Sequence, residues 1–225
     1  MLALGLALLI GSSLVTLGAG GSIVTVPVLV YAAGLDVQHA AGTSLVVVGL
    51  VALTGAIARR RLVAVRAALV FGALGTLAAW PGVWLNHHVP GAVVLLGFAL
   101  TMLVVAARML RAALRGPRPA AERVDAARLV ASGLAVGLLT GLFGVGGGFL
   151  VVPALSLVVG LGIAESVATS LLVIALNSAA GLAGHAWYGT VDWQLGARVA
   201  AAALLGGLLT LPLARRIAAP ALQRA

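Results

Sequence analysis

The chain has 225 residues, 62% of them hydrophobic and only 8% charged, with a formal net charge of +9. Soluble domains carry about 25% charged residues, so this chain lacks the polar surface to cover a water-soluble globule. With a mean hydropathy of +1.19, it reads as an all-α polytopic membrane protein. All 14 basic residues are Arg, clustered between apolar segments, which fits cytoplasmic loops and excludes a nucleic-acid groove. There is no Cys, hence no disulfide framework.

In chain order, apolar segments of near-spanning length fall at 2–17, 39–58, 63–85, 91–107, 126–143, 166–184 and 194–214. Two shorter ones occupy 23–35 and 149–161. About 13 helical residues reach only about 20 Å, short of a hydrocarbon core of roughly 30 Å. The N-terminus has no basic n-region or clear cleavage site and reads as the first membrane helix. A polar stretch rich in Pro and acidic residues separates a first repeat (1–114) from a second (126–225), with 115–125 as a cytoplasmic linker.

Shifting the sequence by 126 residues (153 − 27) places GAGGSIVTVPVL (18–29) on GVGGGFLVVPAL (144–155). From 18 to 55, 14 of 38 positions are identical, including Thr43-Ser44 on Thr169-Ser170 and Gly55 on Gly181. The arginine bias swaps between the repeats. Arg59-Arg60-Arg61 follows the third segment of the first, whereas HAWYGTVDW follows its counterpart. NHHVP follows the fourth segment, whereas Arg215-Arg216 follows its counterpart. This predicts inverted repeats, with the N-terminus outside and residues 108–128 and the C-terminus inside. The fifth segment has no counterpart, so a last helix is missing from the second repeat, through loss or truncation.

Gly146, Gly147 and Gly148 each disfavour helix by about 1 kcal/mol against Ala. Pro153 suits the first position of a new helix. A helix is therefore expected to end near Phe143 or Gly144, with an irregular piece following and a short helix opening at Pro153. Gly18, Gly20, Gly21, Ser22 and Pro27 repeat the plan. Irregular backbone inside a membrane must be buried or line a polar cavity. Bare amides beside a helix N-terminus favour anions, so two breaks meeting near the midplane would form an anion site. Close helix packing by small residues is the competing reading. Nucleotide binding is disfavoured, because a phosphate loop would need a Lys and a βαβ unit.

The doubled GxGG(G/S)xxxVPxL, each copy followed by GL and then TSL, resembles the TauE/SafE sulfite exporter family, also called TSUP. The likeness covers about residues 1–220; Ser22 departs from the fuller motif, and the last helix is wanting. The resemblance implies a bacterial inner-membrane carrier for sulfur-containing anions such as sulfite or a sulfonate, working by alternating access.

The candidate substrate-binding residues are Gly18, Gly20, Gly21, Ser22, Thr43, Ser44, Gly144, Gly146, Gly147, Gly148, Thr169, Ser170 and Asn177, with Pro27 and Pro153 as helix breaks. Thr and Ser hydroxyls could equally bond within their own helices, and Asn177 could be helix–helix glue. Asp36, His39 and Glu165 fit helix capping. His87, His88 and His185 sit at loop edges without metal-ligand spacing. The expected partners are a small anion and the lipid bilayer, with no nucleic acid, no cofactor and no metal; homo-oligomerisation stays open. The rivals to a carrier are a passive anion channel, a non-transporting membrane subunit and, least favoured, an intramembrane enzyme, for which no nucleophile–base pair is evident.

Overall fold

The computed structural model describes the chain except residues 1, 18–19, 116–125, 145–147, 158–159 and 223–225. The described residues form nine α-helices and one 3-10 turn, with no strand. They are α1 (Leu2–Leu17), α2 (Gly20–Tyr31), α3 (Val37–Ala58), α4 (Val65–His88), α5 (Gly91–Arg115), α6 (Ala126–Phe143), α7 (Gly148–Leu157), α8 (Ile163–Trp187) and α9 (Trp193–Leu222). Among the described residues, stretches of α3, α4, α5 and α8 are long and apolar enough to cross a membrane. The fold is that of a multi-pass membrane protein.

The duplication reaches into backbone detail. After α2, Gly34 takes φ +75° and the Leu35 N–H bonds the Leu29 carbonyl at 3.2 Å. After α7, Gly160 takes φ +76° and the Leu161 N–H bonds the Leu155 carbonyl at 3.2 Å. Both glycines supply the left-handed residue that stops a short helix. Asp36 caps α3, accepting the His39 N–H at 3.2 Å, as the capping reading expects.

The two repeats run in opposite directions. A Cβ on Gly42 of α3 would lie 3.0 Å from the His185 Cβ; on Gly49, 3.2 Å from the Ser178 Cβ; on Gly55, 3.1 Å from a Leu171 methyl. Rising numbers on α3 thus meet falling numbers on α8. The contact is two-fold symmetric as well. Leu45 packs on Gly181, and Leu171 (45 + 126) packs on Gly55 (181 − 126). The outer helices are exchanged between the halves. Gly137 of α6 lies against the backbone of Gly75 in α4, and Gly11 of α1 against that of Ala203 in α9. Such contacts need small residues, because lipid offers no hydrophobic drive and close approach must supply the packing.

Two sequence expectations change. Pro27 and Pro153 do not open the short helices but lie inside them. Leaving an N–H or C=O unpaired in lipid costs several kcal/mol, against about 1 kcal/mol for a helical glycine. Helix therefore begins as early as the glycines allow, and each proline removes a single donor. Several long helices also run past the expected ends, α4 to His88 and α8 from Ile163 to Trp187. Helix α5 stands apart: Val94 and Phe98 are buried, while Leu96, Leu100 and Leu103 are exposed on its outer face.

Candidate functional site

The bundle has an arginine end, where α3 leads through Arg59–Arg61 into α4, and a histidine end, where α4 and α8 finish at His88 and Trp187. Helix α6 starts from the arginine end and stops at Gly144 beside Ala41, in the second turn of α3. Helix α7 then returns. Its Val151 and Leu155 share a buried cluster with Ala68 and Phe71 from the first turns of α4 and with Val173 of α8. The α6–α7 pair is re-entrant, and α7 touches α2 of the other half.

Gly144 is fixed by two constraints. Its φ is +67°, and a Cβ there would lie 2.6 Å from the Ala41 carbonyl carbon. Its N–H closes the last turn on the Thr140 carbonyl at 2.9 Å. The Ser44 hydroxyl donates to the Ala41 carbonyl at 2.8 Å and also touches the Gly144 carbonyl. In the other half, the Ser170 hydroxyl donates to the Val167 carbonyl at 2.8 Å. Thr43 accepts the Asp192 N–H at 3.0 Å, and Thr169 accepts the Ala64 N–H at 2.9 Å. Each Thr thus holds the loop entering a fourth helix.

Gly20, Gly21 and Ser22 form the first turn of α2, and Gly148 opens α7. Gly18, Gly146 and Gly147 lie outside the described residues. The hydroxyl pairs do not converge. Ser44 sits near residue 182 of α8 by the Leu45–Gly181 contact, twelve residues or about 18 Å from Ser170. Asn177 lies between these levels, fully buried, and among the described residues neither its Nδ2 nor its Oδ1 has a hydrogen-bond partner. The neighbouring Ser178 hydroxyl is also buried without a partner. The Asn177 amide fills the notch left by Gly75 of α4, where a Cβ would come 2.7 Å from its Cγ. One turn from Asn177, Val173 belongs to the buried cluster that also holds Val151 and Leu155 of α7.

The chain matches the model of the "Sulfite exporter TauE/SafE" family over residues 3–225. It belongs to that family. Curated relatives agree. A "Probable membrane transporter protein" of Xylella fastidiosa (strain 9a5c) is 34% identical over 218 residues, covering 94% of this chain and 83% of that protein. The "Probable membrane transporter protein YunE" of Bacillus subtilis (strain 168) is 29% identical over 231 residues, covering 89% and 83%. No solved structure matches the chain. As a TauE/SafE member the protein is a membrane transporter, not an enzyme.

A groove of about 500 Å³ between α3 and α8 is lined by residues including Leu50, Leu53, Leu172, Leu176 and Trp193. Its apolar walls suit acyl chains better than an anion. Sequence reasoning missed Ser178, Asn86 and His185, all fully buried. Ser170, Asn177 or Ser178, and His185 recur at seven or eight residues along α8, the spacing of one helical face. That polar stripe was the available signal.

Proposed function

We propose that this protein carries a small sulfur-containing oxyanion, such as sulfite or a sulfonate, across the bacterial inner membrane by alternating access. The single observation that carries the site is Asn177, a fully buried amide with no hydrogen-bond partner among the described residues, one turn from Val173 in the cluster that packs α7. An orphaned buried amide costs about 1–3 kcal/mol, a cost that a ligand can offset. The Nδ2 donor and the first amides of α7, where the helix dipole is positive, together suit an anion. The Ser178 hydroxyl adds a further donor. The inverted α3–α8 pair supplies two related arrangements between which the site could open to either face. Under this reading the arginine end is cytoplasmic and the N-terminus is outside.

Flux into proteoliposomes, screened with sulfite, sulfate, thiosulfate, sulfoacetate and taurine, tests the substrate class. Gly147→Leu and Gly21→Leu are expected to abolish the flux while the protein still inserts. Normal transport by both variants would remove the anion role of the glycine breaks. Counterflow of labelled substrate separates a carrier from a channel.

A further inference from the structure

His185 ends the polar stripe of α8 and is fully buried at the histidine end. Its ring binds on both nitrogens. Nε2 lies 3.2 Å from the Gly141 carbonyl, and Nδ1 lies 3.0 Å from the Thr190 hydroxyl. A carbonyl only accepts, so Nε2 carries the proton in a neutral ring, and the single Thr190 hydroxyl proton is shared between Nδ1 and the His185 carbonyl, 3.1 Å from the Thr190 oxygen. The Thr190 oxygen also stands 3.5 Å from His87 Nε2 on α4. Gly42 of α3 is kept bare by the His185 Cβ and the Thr190 carbonyl. One side chain therefore joins the last turn of α6, the α8–α9 loop, the end of α4 and the start of α3. Gly141 lies three residues before the chain reversal at Gly144.

Among the described residues, the titratable groups around it offer no counter-ion. From α4 come His87, with its ring centroid 5.5 Å away, and the exposed His88. From α3 come His39 and Asp36, paired with each other at 2.6 Å. From the α8–α9 turn come Tyr188, stacked on His87, and Asp192, which accepts the Leu195 N–H at 2.9 Å. A second proton on His185 would leave a fully buried cation whose two N–H groups meet only a neutral carbonyl and a neutral hydroxyl, with no facing carboxylate.

We propose that His185 is the latch of the histidine end and that it opens on protonation. Neutral, it closes α3, α4, α6 and α8 over the polar stripe. An imidazole released to water takes a proton near neutral pH. The open state thus binds more protons than the closed one, and acid shifts the population toward opening. The proposal deepens the transport reading by adding its gate, but its test needs no substrate.

The chain has no Cys, so Val83→Cys makes a single reporter thiol. Val83 is buried and packs against Gly184, one residue before His185. Labelling by a membrane-impermeant maleimide in nanodiscs is measured at pH 8 and pH 5.5. It is normalised to Ala92→Cys, exposed at the start of α5, which cancels the pH dependence of the thiol itself. Relative labelling of otherwise unaltered protein is expected to rise about tenfold at pH 5.5. His185→Gln, which can still donate to Gly141 but cannot titrate, is expected to label slowly at both pH values. His185→Ala is expected to label fast at both. No rise with acid overturns the proposal, as does slow labelling of His185→Ala. It is equally overturned if replacing His39, His87 and His88 together by Gln abolishes the response while His185→Gln keeps it. Failure of the flux screen alone leaves these outcomes readable.

Discussion

Helices α3 and α8 hold equivalent places in the two halves and differ in what they bury. Both carry the Thr-Ser pair, and both hold an incoming loop through the Thr hydroxyl. Beyond that pair, α8 continues with Asn177, Ser178 and His185, where a shift of 126 finds Val51 and Ala52 of α3 and Arg59 just past its end. Val51 and Ala52 are fully buried and apolar. The scaffold is symmetric and its polar content is not. Two-fold packing needs only matching shapes at each contact, and Leu on Gly satisfies it in both halves. A polar stripe costs stability wherever it lacks partners, so a stripe confined to one helix is the expected mark of function.

The comparison can be broken most forcefully at Gly144. Gly144→Leu must bear both a positive φ and contact with the Ala41 backbone, and is expected to cost more than about 4 kcal/mol. Gly160→Ala has the same φ problem with open space around it and should cost about 1 kcal/mol. Thermal unfolding in detergent separates the two. Equal effects would mean that Gly144 serves only its turn.

Making α8 resemble α3 sharpens the contrast. Asn177→Val removes an unpartnered amide and should hold or raise stability by about 1 kcal/mol, while abolishing flux. The reverse change, Val51→Asn, should destabilise by about 2 kcal/mol with no new activity. Gly75→Ala should be harmful beside Asn177 and far less so beside Asn177→Ala, because the amide occupies the notch. A double-mutant cycle measures this coupling, and additive effects would contradict the packing.

The smallest effects test the symmetry itself. Thr43→Val and Thr169→Val each unpair one loop N–H and should each cost about 1 kcal/mol. Unequal melting-temperature shifts would show that one of the two loops leans on other contacts.

Much of the fold was legible because lipid imposes few choices. Segment lengths, the shift of 126 and the end of α6 at Gly144 follow from hydropathy, repetition and glycine's freedom. The prolines misled, since propensity measured in water undervalues helix where no water can take the backbone bonds. Asn177 was visible as a polar residue far from both ends of its helix. His185 was not, because two residues before the exposed Trp187 it reads as a loop edge.

The sequence by itself determined the membrane class, the duplication and the places where helices must stop, each set by local composition and backbone chemistry. Only the tertiary structure decided which groups face one another: the antiparallel register of α3 on α8, the Gly75 notch under Asn177 and the closure of four elements on His185. Those contacts join residues about 100 positions apart, as between Asn177 and Gly75. They depend on how closely two backbones approach, which no single helix encodes.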